Sequence, residues 1–270
     1  MPGVLAGAAA LVLLAAVAAG YFLLRTPERA AVPAAEAEAP PTGIAAPVPA
    51  PAPEVAAASP AIPAPEPEPA IPLPALDESD AELGGAVTES FGAKVAEQYL
   101  RPENFVRNLV VTIDNLPRGS LAADRRPIQP TPGLFVARGR DEALYLSDEN
   151  YSRYTPFVTL LARTDARTFA ALYRRYYPLM QEAYAELGNP EPAEFNTRVL
   201  EVIDHLLAAP DVDGPVALIR PKVLYELKDP ALEQLSSGQK ILLRMGPAHA
   251  AAVKAKLAEI RAELQASAAG

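Results

Sequence analysis

The sequence predicts a mainly α fold: a single helical domain with minor short β over residues 77–270, preceded by a transmembrane helix and a disordered Pro/Ala-rich linker. Three observations carry this. Residues Gly3 to Leu24 hold no charged side chain for 22 positions. Half of the chain's 30 prolines fall between residues 26 and 76. Beyond residue 77, apolar residues recur at i, i+3, i+4 and i+7, as in helices with one buried face.

Residues 1–25 read as an anchor. A helix rises about 1.5 Å per residue, so this stretch spans roughly 33 Å against a hydrocarbon core of about 30 Å. Ten of its residues are Leu, Val or Phe, each favouring insertion by roughly 0.3–0.6 kcal/mol. Tyr21 and Phe22 sit near its far end, where aromatic rings favour the interface, and Arg25 and Arg29 follow. A cleaved secretory signal is the competing reading, because Ala16-Val17-Ala18 has the small-x-small pattern. The apolar run is longer than an ordinary signal core, however, and no Lys or Arg precedes it. The lipid bilayer is thus the expected partner of residues 3–24.

Residues 26–76 carry six Glu against one Arg. Proline removes backbone donors and alanine offers little to bury, so this stretch is expected to be an extended spacer without a core. At about 3.1 Å per residue it would reach up to roughly 150 Å. The two arginines after the anchor favour a cytoplasmic domain, whereas a long proline-rich tether suits a periplasm. The reading adopted is an inner-membrane, single-pass protein with a periplasmic C-terminal domain.

Composition narrows the partners. A net charge of −9 argues against nucleic acid, whose phosphates need a concentrated positive surface. With no cysteine, disulfides, thiolate metal sites and cysteine nucleophiles are excluded.

Within residues 77–270 the elements follow from caps and spacing. Ser79 to Glu82 has the capping-box form and opens a first helix to about Glu89. AKVAEQYL gives a second. Pro102 is placed as the first residue of a third, with Phe105, Leu109, Val110 and Ile113 on one face. LFVARGRDEALYL reads as a small hairpin around Arg138 to Asp141, and Ser147 as the cap of a helix bearing Phe157 and Leu161. The longest helix runs from Asp165 to Leu187, with Tyr173, Tyr176 and Met180 inward and Pro178 inside it. Asn196 is expected to cap TRVLEVIDHLLAA. VALI and VLYEL are short strand or extended candidates, Ser237 or its neighbour opens GQKILLRM, and Pro247 starts a last helix with a Val253, Leu257, Ile260, Leu264 seam.

Four collinear segments resemble a bacterial family, domain-of-unknown-function family 3014. They are LPALDESDAEL from Leu73, NFVRNLVVTIDNLPRG from Asn104, LYRRYYPLMQEAYAELG from Leu172, and SSGQKILLRMGPAHAAAVKAKL from Ser236. The likeness spans Leu73 to Leu264. It implies the layout of hydrophobic segment, spacer and one domain, but brings no activity, cofactor or site residues.

Chemistry leaves few traces. GxSxG, HExxH, GxxxxGK[ST] and GxGxxG are all absent. SSGQK at Ser236–Lys240 lacks the leading glycine of a phosphate loop. His205 sits one turn after Glu201, so the two are expected to pair on a helix surface. Asp211-x-Asp213-Gly214 lacks the further ligands of a calcium loop and reads as a turn. No cofactor and no metal are expected, and no catalytic residue is assigned.

The candidate binding surface is Arg174, Arg175, Lys240, Arg244 and His249. Arginine beside tyrosine favours contact surfaces, and cations beside the last helix's N-terminus favour an anion. The leading functional expectation is a membrane-tethered envelope protein whose helical domain binds or scaffolds another envelope protein or the cell wall. The alternative is an enzyme of undescribed type, such as a hydrolase acting on wall polymers through Asp and Glu pairs.

Overall fold

The computed structural model describes residues 72–91, 93–120, 124–131, 133–140, 143–188 and 194–266. The expected transmembrane helix at 3–24, and the spacer up to residue 71, lie outside them. Among the described residues no helix is long and apolar enough to cross a membrane.

The described part is mainly helical with a few short strands. After a 3₁₀ turn at Leu76–Glu78 come α1 (Ser79–Phe91), α2 (Ala93–Tyr99) and α3 (Phe105–Asn115). The hairpin β1 (Ala137–Arg140) and β2 (Ala143–Leu146) precedes a 3₁₀ segment at Asp148–Arg153. Next are α4 (Thr155–Arg163), α5 (Ala166–Ala185) and α6 (Phe195–Leu207), then β3 (Ala217–Ile219) and β4 (Glu226–Leu227). Three helices close the chain: α7 (Pro230–Glu233), α8 (Ser237–Arg244) and α9 (Pro247–Ala266). The strands form one antiparallel sheet in the order β1-β2-β3-β4.

The helices pack as their spacing requires. α3 and α5 lie together, and α9 packs on α4, α5, α6 and α8. Phe105, Leu109, Val110 and Ile113 are all buried, as are Phe169, Tyr173, Tyr176 and Met180 on α5 and the whole predicted seam of α9. A second, smaller core lies under the sheet, where Leu146, Val216, Leu218 and Leu227 meet Leu243. Leu243 belongs to α8, whose Ile241 and Leu242 belong to the main core. One two-turn helix therefore serves both.

Helix starts depart from the sequence expectation where a distant side chain supplies the cap. α3 begins at Phe105, not Pro102, because Asp80 reaches across and accepts from the Asn104 N–H (2.6 Å) and the Phe105 N–H (2.9 Å). Asn104 takes a left-handed conformation there, with φ 52°. Ser79 is not a cap: a 3₁₀ turn precedes it and its hydroxyl donates to the Leu76 carbonyl. Asn196 lies inside α6, buried against the Tyr173 hydroxyl, and Glu194 holds the cap position. Ser147 does cap, but on the 3₁₀ segment. Asp165 and Ser236 cap α5 and α8, and Ser236 forms a full capping box with Gln239. Leu76 is already buried and Leu73 packs against the same core, so the folded part starts a few residues ahead of residue 77.

Two glycines are required by their surroundings. Gly246 joins α8 to α9 with φ 86°, and a Cβ there would fall 2.7 Å from the Tyr151 ring. At Gly238 a Cβ would meet Leu206 Cδ2 at 2.5 Å, because its N–H lies against the Leu116 carbonyl. Gly246→Ala is expected to cost about 2 kcal/mol for the left-handed backbone and the ring overlap together. A thermal melt checks it, and an unchanged melting temperature would contradict this account of the α8–α9 corner.

Candidate functional site

The five residues singled out from sequence fall in two places, Arg174 and Arg175 on α5 and Lys240, Arg244 and His249 along α8 and the start of α9. Arg174 and Arg175 are half-buried on α5. Arg175 lies over the Tyr176 ring, 5.4 Å from its centre, and donates to Glu82 Oε1 at 3.1 Å. The Tyr176 hydroxyl donates to the same oxygen at 2.7 Å, so Arg175 fastens α1 to α5. Lys240 and Arg244, expected on a surface, are buried in α8. Lys240 Nζ donates to Glu233 Oε1, while Glu233 Oε2 accepts from the Leu227 N–H at 2.7 Å. This ion pair ties α8 to α7 and β4. Arg244 lies close enough to the buried Tyr154 for its charge to offset part of the burial that raises that phenol's pKa.

His249 is the fifth. Its Nδ1 donates to the Met245 carbonyl at 3.0 Å, which fixes the tautomer, and its Nε2 lies 3.4 Å from the Thr155 hydroxyl. The ring thereby braces the α9 start against α4. Of these residues Lys240 and Arg244 are buried, so neither offers the exposed cation that the sequence suggested.

His205 does not pair with Glu201. Glu201 accepts from Arg198 instead, at 3.1 Å, and His205 Nε2 lies 2.7 Å from Ser236 Oγ. That hydroxyl also accepts from the Gln239 N–H, and Gln239 Nε2 donates to the His205 carbonyl. The serine is occupied as a cap, so the contact links the end of α6 to the start of α8. Burial, and then the Arg198 charge, lower the His205 pKa below its ordinary 6.5.

Among the described residues two clefts and one exposed apolar segment stand out. A cleft of about 430 Å³ between the 210–216 loop and the α8–α9 corner is walled by Tyr151, Val212, Val216, Leu242 and Pro247. Its carboxylates, Asp211 and Asp213, are exposed, and Asp211 accepts from Lys254 at 2.7 Å. Such a site offers apolar shape but no sheltered acid for general catalysis. Among the described residues no three His, Cys, Asp or Glu side chains come together as a metal would require. A second, polar cleft of about 370 Å³ lies beside the α3 start.

The exposed segment is the β3–β4 connection, read from sequence as strand or extended chain and running past the paired residues. Ile219, Val223 and Leu224 are 38%, 66% and 36% exposed, and Tyr145 on β2 is 38% exposed. Ile219 and Tyr145 share the outer face, since Tyr145 is opposite Ala217, two residues from Ile219. Arg220 and Lys222 are exposed between the apolar residues, and Arg220 lies over the Tyr225 ring. Periodicity missed this feature, because VLYEL reads as core whether or not it finds a partner strand.

The family model for DUF3014, a protein of unknown function, matches residues 105–261, from the first residue of α3 well into α9. That agrees with the resemblance to the family, and covers three of the four segments, LPALDESDAEL lying before the matched residues. No curated protein and no solved structure matches the chain.

Two outcomes test this account. Glu233→Ala strands the buried Lys240 ammonium and is expected to cost about 3 kcal/mol, whereas Lys240→Met, which removes the charge with the partner, should cost distinctly less. Chemical denaturation ranks the two, and the reverse order would sink the role given to the pair. For His205 the sign is fixed by the lowered folded pKa: the unfolded chain binds the proton more readily. Stability from the neutral ring is therefore full above about pH 6.5 and lost as pH falls from there through the lowered value. Melting curves between pH 8 and 5 should fall more steeply for the native chain than for His205→Gln; parallel curves would contradict it.

Proposed function

We propose that this chain, which belongs to the DUF3014 family of proteins of unknown function, is a membrane-tethered envelope protein whose helical domain docks a partner protein. The observation that carries the proposal is the β3–β4 tip. Exposed apolar residues scattered singly are ordinary on any protein, but Ile219, Val223 and Leu224 lie within six consecutive residues. Their cationic and aromatic neighbours, Arg220, Lys222 and Tyr225, are of types that contact surfaces favour or that steer a charged partner. On a chain of net charge −9, this positive tip selects a partner with an apolar pocket and an acidic rim. The 22-residue uncharged segment and the proline-rich stretch behind it support the tether and its reach.

The test is a photo-crosslinking residue placed at Val223 in the full chain inside cells. One discrete protein adduct is expected, weakened at least several-fold by Arg220→Glu with Leu224→Asp. No adduct, adducts to lipid alone, or an equal adduct from the exposed Arg167 position would remove the proposal. Protease treatment of spheroplasts and intact cells, reading a C-terminal epitope, tests the tether: cleavage in spheroplasts alone is expected, and protection until lysis would contradict the periplasmic placement.

A further inference from the structure

The polar cleft beside α3 has no part in the docking tip, and the way it is built is informative. The Leu100–Ile128 bridge pairs two short segments antiparallel, with the Arg101 N–H donating to the Pro127 carbonyl and the Gln129 N–H to the Tyr99 carbonyl. This pairing brings Arg101 next to Arg126. Arg125 is held from the other side, where its carbonyl accepts from the Thr112 hydroxyl at 3.2 Å. Three guanidinium-bearing residues, Arg101, Arg125 and Arg126, thereby line a cleft completed by Glu103, Asn104, Asn108 and Asp124.

Asp124 lies 3.9 Å from Arg125 Nε. Among the described residues no carboxylate forms an ion pair with Arg101. Arg126 is half-buried, and burial followed by the Arg101 charge pulls its pKa down. The fold has set two like charges side by side in a partly desolvated place, where a bound anion would offset their repulsion. The N–H groups of Asn104 and Phe105 at the α3 start are already taken by Asp80, so any ligand is held by side chains. Guanidinium forks match tetrahedral oxyanions in geometry as well as charge.

We infer that the Arg101–Arg126 cleft binds a phosphoryl group. About 370 Å³ is the scale of a small-molecule site and exceeds what a bare phosphate fills. A phosphorylated small molecule or a phospholipid headgroup has the required chemistry.

The experiment is amide hydrogen exchange on the full chain held in phosphatidylcholine or phosphatidylglycerol nanodiscs, at matched ionic strength, with and without inorganic phosphate. The readout is protection of residues 99–101 and 124–129. Protection in phosphatidylglycerol without phosphate identifies the headgroup as the source. Protection in phosphatidylcholine only after phosphate is added identifies a soluble ligand. Protection in neither overturns the inference. Arg101→Gln should weaken the ligand-dependent protection about tenfold or more, the loss expected for a charge-assisted contact. Because it also relieves the Arg126 repulsion, its melting temperature without ligand should be equal to or above the native value. A variant that binds phosphate as the native chain does would overturn the assignment.

Discussion

The structure depends on the burial of one short helix. α8 has two turns and no polar face: Ile241, Leu242 and Leu243 follow one another, and Lys240, Arg244 and Met245 are buried with them. Apolar contact alone would hold such a helix anywhere in a core, but its two cations restrict it. Lys240 can be buried only where Glu233 meets it, and Glu233 is also hydrogen-bonded to β4. The ion pair therefore contributes placement more than net stability. The main core and the core under the sheet become one structure because they share this helix.

Much of the helical architecture was legible because it rests on periodicity and local caps. The faces of α3, α5 and α9 follow directly from spacing, and Asp165, Ser236 and Pro247 mark helix starts through contacts within a few residues. What spacing does not encode is a cap that arrives from elsewhere. Asp80 lies 24 residues before Asn104, so nothing near Pro102 tells that the helix waits until Phe105. Asn196 looked like a cap and is instead buried against Tyr173, a contact that only the packed α5–α6 pair creates.

The candidate site was less legible, for a related reason. Charge in a sequence reads as exposure, yet Lys240 and Arg244 are buried and Arg175 is tied to Glu82. A clue was available in KILLRM: four apolar residues in six leave no room on two turns for a solvated side. VLYEL reads as strand or extended chain, and only its Glu226 and Leu227 pair, so its exposed apolar residues were not marked by spacing. The Arg101–Arg126 cleft left no local signal, since its walls are 25 residues apart and meet through one bridge.

Arg107 gives the entry of the chain into the domain a mechanical character. Its guanidinium holds Asp77 at 2.7 Å and Glu186 at 2.6 Å, so the residue next to Leu76 is riveted to α3 and to the end of α5 together. A pull applied through the preceding residues would be carried first by this three-way joint and by Leu76, ahead of α1. The load would then pass into α3 and the long α5 rather than into the small sheet. The entry of the chain is thereby fixed to helices and not to the small sheet.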